Sequence, residues 1–243
     1  MIGPLPYIGG KRRLAPTIAE LLPPHVTYVE PFAGGAQLFF HKSPSPVEVL
    51  NDLDADVFNF LRVCQHHADE LARWLRHAVA SRKLHEWFSA QDPSLLTDVQ
   101  RAARFLYLQK NSFGGRLTRQ SFHYAVSKRQ NYTPARLPQI LTSAGKRLEH
   151  VQLECLPYEQ ILVRYDRPTT CFYLDPPYVG RALYHVNFSD NDFSKLADRL
   201  RTIRGRFLLS INDHPISRAA FAEFHRRSIA ISYTSNRHVP RVS

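Results

Sequence analysis

With 243 residues, 44% of them hydrophobic, the chain is long enough for one α/β domain with a sizeable core plus a small inserted subdomain, and too apolar to be disordered. Its formal net charge of +11 favours a polyanionic partner, for which nucleic acid is the commonest; a membrane surface would fit the charge alone, but no basic amphipathic helix with an aromatic face supports it. No apolar run is long enough to span a bilayer, Met1 to Arg13 lacks the apolar stretch of a signal peptide, and the scattered Cys64, Cys155 and Cys171 argue against a disulfide framework or a metal site and fit a reducing cytoplasm.

Thr27 to Glu30 is a β-branched and aromatic run stopped by Pro31, which predicts a strand. Gly34-Gly35 follows, and a helical pattern begins at Ala36 to Phe40. Val47 to Leu50 reads as a second buried strand, ended by Asn51-Asp52. Asp54 to Trp74 has near-helical apolar spacing with a break near His66, and Val99 to Leu108 is another helix. Asn111 to Pro138 interleaves aromatic residues with Gly, Ser, Arg, Lys and Gln and has no long period, so loops and a hairpin are expected. Leu137 to Leu148 returns to helical spacing. Strands are expected at Val151 to Leu153, Thr170 to Leu174 and Phe207 to Ile211, with a helix at Phe193 to Ile203. Alternating strands and helices predict an α/β fold: a mostly parallel sheet with helices on both faces.

Two constellations carry chemistry. Glu30-Pro31-Phe32-Ala33-Gly34-Gly35 is a glycine turn between a strand and a helix, where a ligand can approach the backbone closely. Asp52 ends the next strand, where an acid can accept both hydroxyls of a ribose. Neither a dinucleotide fingerprint nor a phosphate loop is present, so a nucleoside without a pyrophosphate is expected, and S-adenosylmethionine fits. The second constellation is Asp175-Pro176-Pro177-Tyr178, directly after the strand ending at Leu174. Its prolines stop the strand and would aim the Asp175 carboxylate and the Pro176 carbonyl out of the carboxyl edge of the sheet. Two acceptors there can grip both hydrogens of one amino group. That grip frees a nitrogen lone pair otherwise shared with an aromatic ring, for in-line attack on a sulfonium methyl. Tyr178 would stack on the base.

These residues resemble the Dam-like N6-adenine DNA methyltransferases, in which the cofactor glycine motif precedes the DPPY motif. Tyr7-Ile8-Gly9-Gly10-Lys11 is similar to the family's aromatic-x-Gly-Gly-Lys motif, which implies that Tyr7 and Lys11 close over the cofactor. Val29 to Gly35 is similar to its V-E-P-F-x-G-x motif, and Asn51-Asp52-Leu53-Asp54 to its N-D-x-N segment. Phe105 to Arg116 is close to F-L-Y-L-N-R-x-x-F-N-G-L, with Gln109-Lys110 where the family has Asn-Arg. Tyr184 and the strand Phe207 to Asp213 match further downstream. The resemblance implies a Rossmann-like methyltransferase sheet formed by 1–62 and 149–243. It also implies an inserted helical and hairpin target-recognition subdomain at 63–148.

In that family the middle segment reads DNA, which here is about Arg116 to Pro138. Arg116, Arg119, Lys128, Arg129 and Arg136 suit phosphates or guanine edges, and Gln120, Gln130 and Asn131 suit adenine. The implied substrate is double-stranded DNA, with the target base flipped out to reach Asp175. A restriction endonuclease is a possible partner class, and a monomer suffices for one methyl transfer per strand. The segment is short and lacks a match to the family's base-reading arginine. The chain also stops at Ser243, where the family usually continues with an E-x-L-I-x-N strand, so an absent last strand is expected. Two other readings stay open: an N4-cytosine or RNA base methyltransferase, and a DNA-binding relative without full activity.

Overall fold

The computed structural model describes residues 3–7, 11–112, 121–123, 132–180 and 187–229. Five strands form one parallel sheet: β1 (Thr27–Glu30), β2 (Val47–Asn51), β3 (Gln152–Glu154), β4 (Thr170–Leu174) and β5 (Arg206–Leu209). Their order is β3-β2-β1-β4-β5. The winding therefore reverses between β1 and β4, and such switch points open a crevice at the carboxyl ends of the strands.

The described helices are α1 (Ala15–Glu20), α2 (Gln37–His41), α3 (Ala55–His66), α4 (Ala68–Leu75), α5 (Arg82–Ala90), α6 (Asp98–Asn111), α7 (Leu137–Leu148), α8 (Tyr158–Tyr165), α9 (Asp190–Thr202) and α10 (Pro215–Ala220). They cover the sheet on both sides, because successive strand residues point to opposite faces. Tyr28, Leu50 and Tyr173 join a core with α1 to α7. Val29, Val49, Phe172 and Leu174 join a second core with α8, α9 and Phe221 beyond α10. The expected α/β architecture is what the chain adopts. Among the described residues no helix is long and apolar enough to cross a membrane.

An ionic knot ties α7 to the sheet. Glu48 of β2 is buried and pairs with Lys42 at 2.6 Å and with Arg147 of α7 at 2.5 Å. Burial alone would raise the Glu48 carboxyl, but these two cations hold it below its ordinary value.

The boundaries follow local chemistry. The break expected near His66 is the joint between α3 and α4. β3 begins one residue later than the pattern suggests, because the Val151 amide still bonds to Leu148 at the end of α7. α9 starts at Asp190 rather than Phe193 because Ser189 and Asp192 form a capping box. Of the hairpin expected within 111–138, the described part is an antiparallel bridge between Ser112 and Phe122.

Candidate active site

A cavity of about 330 Å³ lies at the carboxyl ends of β1, β2, β3 and β4. That volume suits a small-molecule ligand. Its β1 wall is the glycine turn. Gly34 has φ +48°, and a Cβ there would stand 2.7 Å from the ring of Tyr7. A Cβ on Gly35 would stand 2.9 Å from the Tyr7 Cβ. The two glycines thus let the segment 3–7 lie directly on the turn, where Gln37 Nε2 also donates to the Leu5 carbonyl at 2.9 Å.

Glu30 is buried at the base of this turn. Its Oε1 accepts from the Tyr28 hydroxyl at 2.7 Å and from the Phe39 amide at 2.9 Å, so it caps the first turn of α2. Burial pushes the Glu30 carboxyl up to about 8, against the opposing pull of those two bonds.

The β2 wall is Asn51 and Asp52. The Asn51 side chain donates to the Pro31 and Leu156 carbonyls at 2.8 and 3.0 Å and accepts from the Leu156 amide at 2.8 Å. It stitches together the loops after β1, β2 and β3. Asp52 Oδ2 accepts from the Gly34 amide at 2.7 Å, and Oδ1 from the Asp54 amide at 2.9 Å. Each oxygen retains a second lone pair. Burial raises the Asp52 carboxyl to about 6, although those two amides pull it down.

Aromatic rings form the next side. Phe32 packs 5.3 Å from Tyr158 and 5.6 Å from Phe188, and Tyr158 lies 5.5 Å from Phe188. The buried Tyr158 hydroxyl sits beside Glu159 and closes no hydrogen bond of standard geometry among the described residues.

The β4 wall carries Asp175. Lys11 Nζ donates to Asp175 Oδ1 at 2.5 Å and to Oδ2 at 2.7 Å, and lies 4.7 Å from the centre of the Tyr178 ring. From just beyond β5, the Ser210 hydroxyl donates to Asp175 Oδ1 at 2.9 Å, and the Tyr173 hydroxyl lies 3.1 Å from Ser210 Oγ. Asn212 braces the strap after Pro177: its Oδ1 accepts from the Val179 amide at 3.0 Å and its Nδ2 donates to the Val179 carbonyl at 3.3 Å. The prolines need no such partners for their own nitrogens. A carboxylate held from two sides at a sheet edge, facing a nucleoside-sized cavity, can present an acceptor to an amine.

A model of the D12 class N6 adenine-specific DNA methyltransferases matches residues 7–234. The chain belongs to this family. It is an adenine-specific DNA methyltransferase. It is 24% identical over 251 residues to the type II methyltransferase M1.LlaDCHI of Lactococcus lactis subsp. cremoris, covering 94% of this chain and 87% of that one. It is 26% identical over 259 residues to the DNA adenine methylase of Salmonella typhi, covering 96% and 89%. The DNA N-6-adenine-methyltransferase of Escherichia phage P1 is 27% identical over 77% of this chain, which corresponds to only 26% of the phage protein.

In this methyltransferase one cavity brings together Tyr7, Lys11, the whole turn Glu30 to Gly35, Asp52, Asp175 and Pro177. Pro176 and Tyr178 are buried and are not among its lining residues; Lys11 lies over the Tyr178 ring. Lys11, assigned to the cofactor from the motif, here pairs with Asp175. Arg116, Arg119, Gln120, Lys128, Arg129 and Asn131 lie outside the described residues. No sequence motif marks a role for Ser210, Tyr173, Tyr158 or Phe188. Ser210 and Tyr173 lie within or just beyond the strands that flank the DPPY motif, which was the available signal. Tyr158 and Phe188 carried none, since only the fold brings their loops to the cavity.

Proposed function

We propose that this cavity binds S-adenosylmethionine and that its β4 wall receives the amino group of an adenine flipped out of duplex DNA. One observation carries the reading: Asp175 and the glycine turn with Asp52 line the same cavity, so both halves of a two-substrate reaction meet there.

The lining fits the cofactor. Asp52 offers an acceptor for ribose hydroxyls at the end of β2, Phe32, Tyr158 and Phe188 offer faces to a purine, and the Tyr158 hydroxyl offers a polar contact. When bound, S-adenosylmethionine supplies an electrophilic methyl group. The chain's own task is to make adenine N6 nucleophilic. Asp175 and the Pro176 carbonyl accept its two hydrogens, and Pro177 and Tyr178 bound the base. Ser210 and Tyr173 fix the Asp175 carboxylate, so little reorganisation accompanies the transfer. We assign 1–62 and 149–243 to this chemistry and 63–148 to target recognition. Arg116, Arg119, Gln120, Lys128, Arg129 and Asn131 are the proposed DNA contacts, which the net charge of +11 supports. The type II names of two relatives support a restriction endonuclease as a partner. A cytoplasmic monomer is the proposed working form.

Incubation with tritiated S-adenosylmethionine and unmethylated duplex DNA, followed by nucleoside separation, tests the reading. Label is expected in N6-methyladenine. Label confined to N4-methylcytosine, or appearing only with RNA, overturns it.

A further inference from the structure

We propose that a second, basic cleft beside the catalytic cavity seats a backbone phosphate of the DNA strand, with Lys110, Arg12 and Arg136 as its cations. The inference rests on the reading of duplex DNA as substrate and adds a place where the strand is held.

The cleft encloses about 530 Å³ between the segment 3–7, the last turn of α6 and the start of α7. Its three cations come from separate stretches of chain: Arg12 before α1, Lys110 near the end of α6, and Arg136 just before α7. Among the described residues no Asp or Glu lines it. Nor do these three side chains make an ion pair or hydrogen bond with a described residue.

That sets Lys110 apart from the other inward-facing cations. Lys11 is paired with Asp175, Lys42 and Arg147 with Glu48, and Arg101 with Asp56. A desolvated charge is costly unless an opposite charge answers it. Lys110 is only half-exposed, and burial, followed by the nearby positive charge of Arg12, pulls its ammonium below the ordinary lysine value. The carbonyl end of α6 offers it about half an elementary charge. That does not balance three cations. A backbone phosphodiester adds one full negative charge beside Lys110, with the exposed Arg12 and Arg136 flanking it, and the mixture suits one: lysine acts as a point charge, and arginine as a fork for two oxygens.

Location argues for DNA phosphate. Tyr7 and Gln37 line both the cleft and the catalytic cavity, so one wall separates the two. A strand delivering a flipped adenine to Asp175 must run its backbone past the mouth of that cavity. An anion seated next door fixes the register of the strand without reading its sequence.

The experiment is the salt dependence of duplex binding by the full chain, read by fluorescence anisotropy for wild type, Lys110→Ala, Arg136→Ala and the pair combined. Arg164→Ala, on α8 against the opposite face of the sheet, is the control. Isothermal titration with S-adenosylmethionine and thermal unfolding accompany each variant. Each cation lost from a phosphate should flatten the slope of log K against log salt, with about 0.9 for a complete phosphate contact, and weaken duplex binding several-fold. Cofactor affinity should stay unchanged, because neither side chain lines the catalytic cavity, and unfolding temperature should not fall, because neither pairs with a described residue and Lys110→Ala removes a half-buried, unanswered charge. Slopes of Lys110→Ala and Arg136→Ala equal to that of Arg164→Ala would overturn the proposal, given a wild type that binds and methylates DNA. A wild type that does neither refutes the functional reading instead. Titration of inorganic phosphate separates the sources: binding of free phosphate that Lys110→Ala abolishes, with the DNA slope unchanged, also refutes the strand assignment.

Discussion

Lys11 Nζ lies 2.5 Å and 2.7 Å from the two carboxylate oxygens of Asp175, and this pair joins the N-terminal segment to the catalytic strand end. Burial alone would lower the Lys11 ammonium, but Asp175, with Tyr178 beyond it, outweighs burial and raises it above the ordinary lysine value. Removing either partner strands the other. Lys11→Met and Asp175→Asn should each cost about 2 kcal/mol, less than a fully buried pair because the Asp175 side chain is 21% exposed. The double variant should lose clearly less than the sum. Chemical denaturation of all four proteins measures this, and strict additivity would show that the pair is energetically idle. Asp175→Ala should also cut single-turnover methyl transfer by at least about 100-fold with cofactor affinity nearly intact. Full turnover would remove Asp175 from the reaction.

Ser210 is the other hand on Asp175. Its hydroxyl donates at 2.9 Å to Oδ1, and Tyr173 lies behind it at 3.1 Å. Ser210→Ala removes one hydrogen bond on the carboxylate, worth about 1–2 kcal/mol, so kcat should fall about tenfold with KM for the cofactor unchanged. Ser210→Thr keeps the hydroxyl and should restore most of the rate. A loss that threonine does not restore, or one that falls on KM, would point to packing rather than to orientation of Asp175.

How far the sequence reveals this site depends on how local each signal is. β1, β4 and α7 occur where the pattern places them, because Pro31 and Pro176 punctuate the strands and Leu137, Leu141, Ala144 and Leu148 keep helical spacing. α1, α5, α8 and α10 have at most nine residues, too few for a 3.6-residue period to stand out. The two motifs show what kinds of group the site holds but not which group grips which. Lys11 matches a cofactor motif in sequence and meets Asp175 only in three dimensions, across 164 residues of chain. Asn51 is similarly opaque. Its position at a strand end is legible, but its bonds to Leu156, 105 residues away, are not.

Glu30 gives the methyltransferase a pH signature. The folded carboxyl titrates at about 8, above its ordinary 4.5, so between these values the folded state holds a proton that the unfolded chain has released. The site's contribution is therefore complete below pH 4.5 and is lost as pH rises toward 8. Glu30→Gln keeps an acceptor oxygen for Tyr28 and the Phe39 amide but cannot ionise. Its unfolding temperature should vary less across this window, and at pH 8.5 it should exceed wild type by at least about 3 °C, the effect of roughly 1 kcal/mol at this size. Parallel thermal profiles for the two proteins would show that Glu30 does not titrate in the fold.

Gly34 and Ala36 share one turn and nearly the same left-handed backbone, at φ 48° and 47°, yet they should respond differently to substitution. Ala36 shows that the turn tolerates a Cβ in this conformation. Gly34 differs in what faces it, since a Cβ there would reach to 2.7 Å from the Tyr7 ring. Gly34→Ala must push Tyr7 or the turn aside, strain the bond from the Gly34 amide to Asp52, and add about 1 kcal/mol of left-handed strain. The cofactor's affinity should drop at least tenfold, whereas kcat at saturating cofactor should hold, because the Asp175 wall is untouched. Ala36→Gly relieves the same strain but removes a buried methyl from the cavity wall, so the two effects offset: stability should change by less than about 1 kcal/mol and affinity should fall far less than in Gly34→Ala. Titration calorimetry and denaturation of both variants decide the matter. Equal cofactor affinities for Gly34→Ala and wild type would mean that the glycine turn serves only to pack Tyr7 and is not the cofactor's cradle.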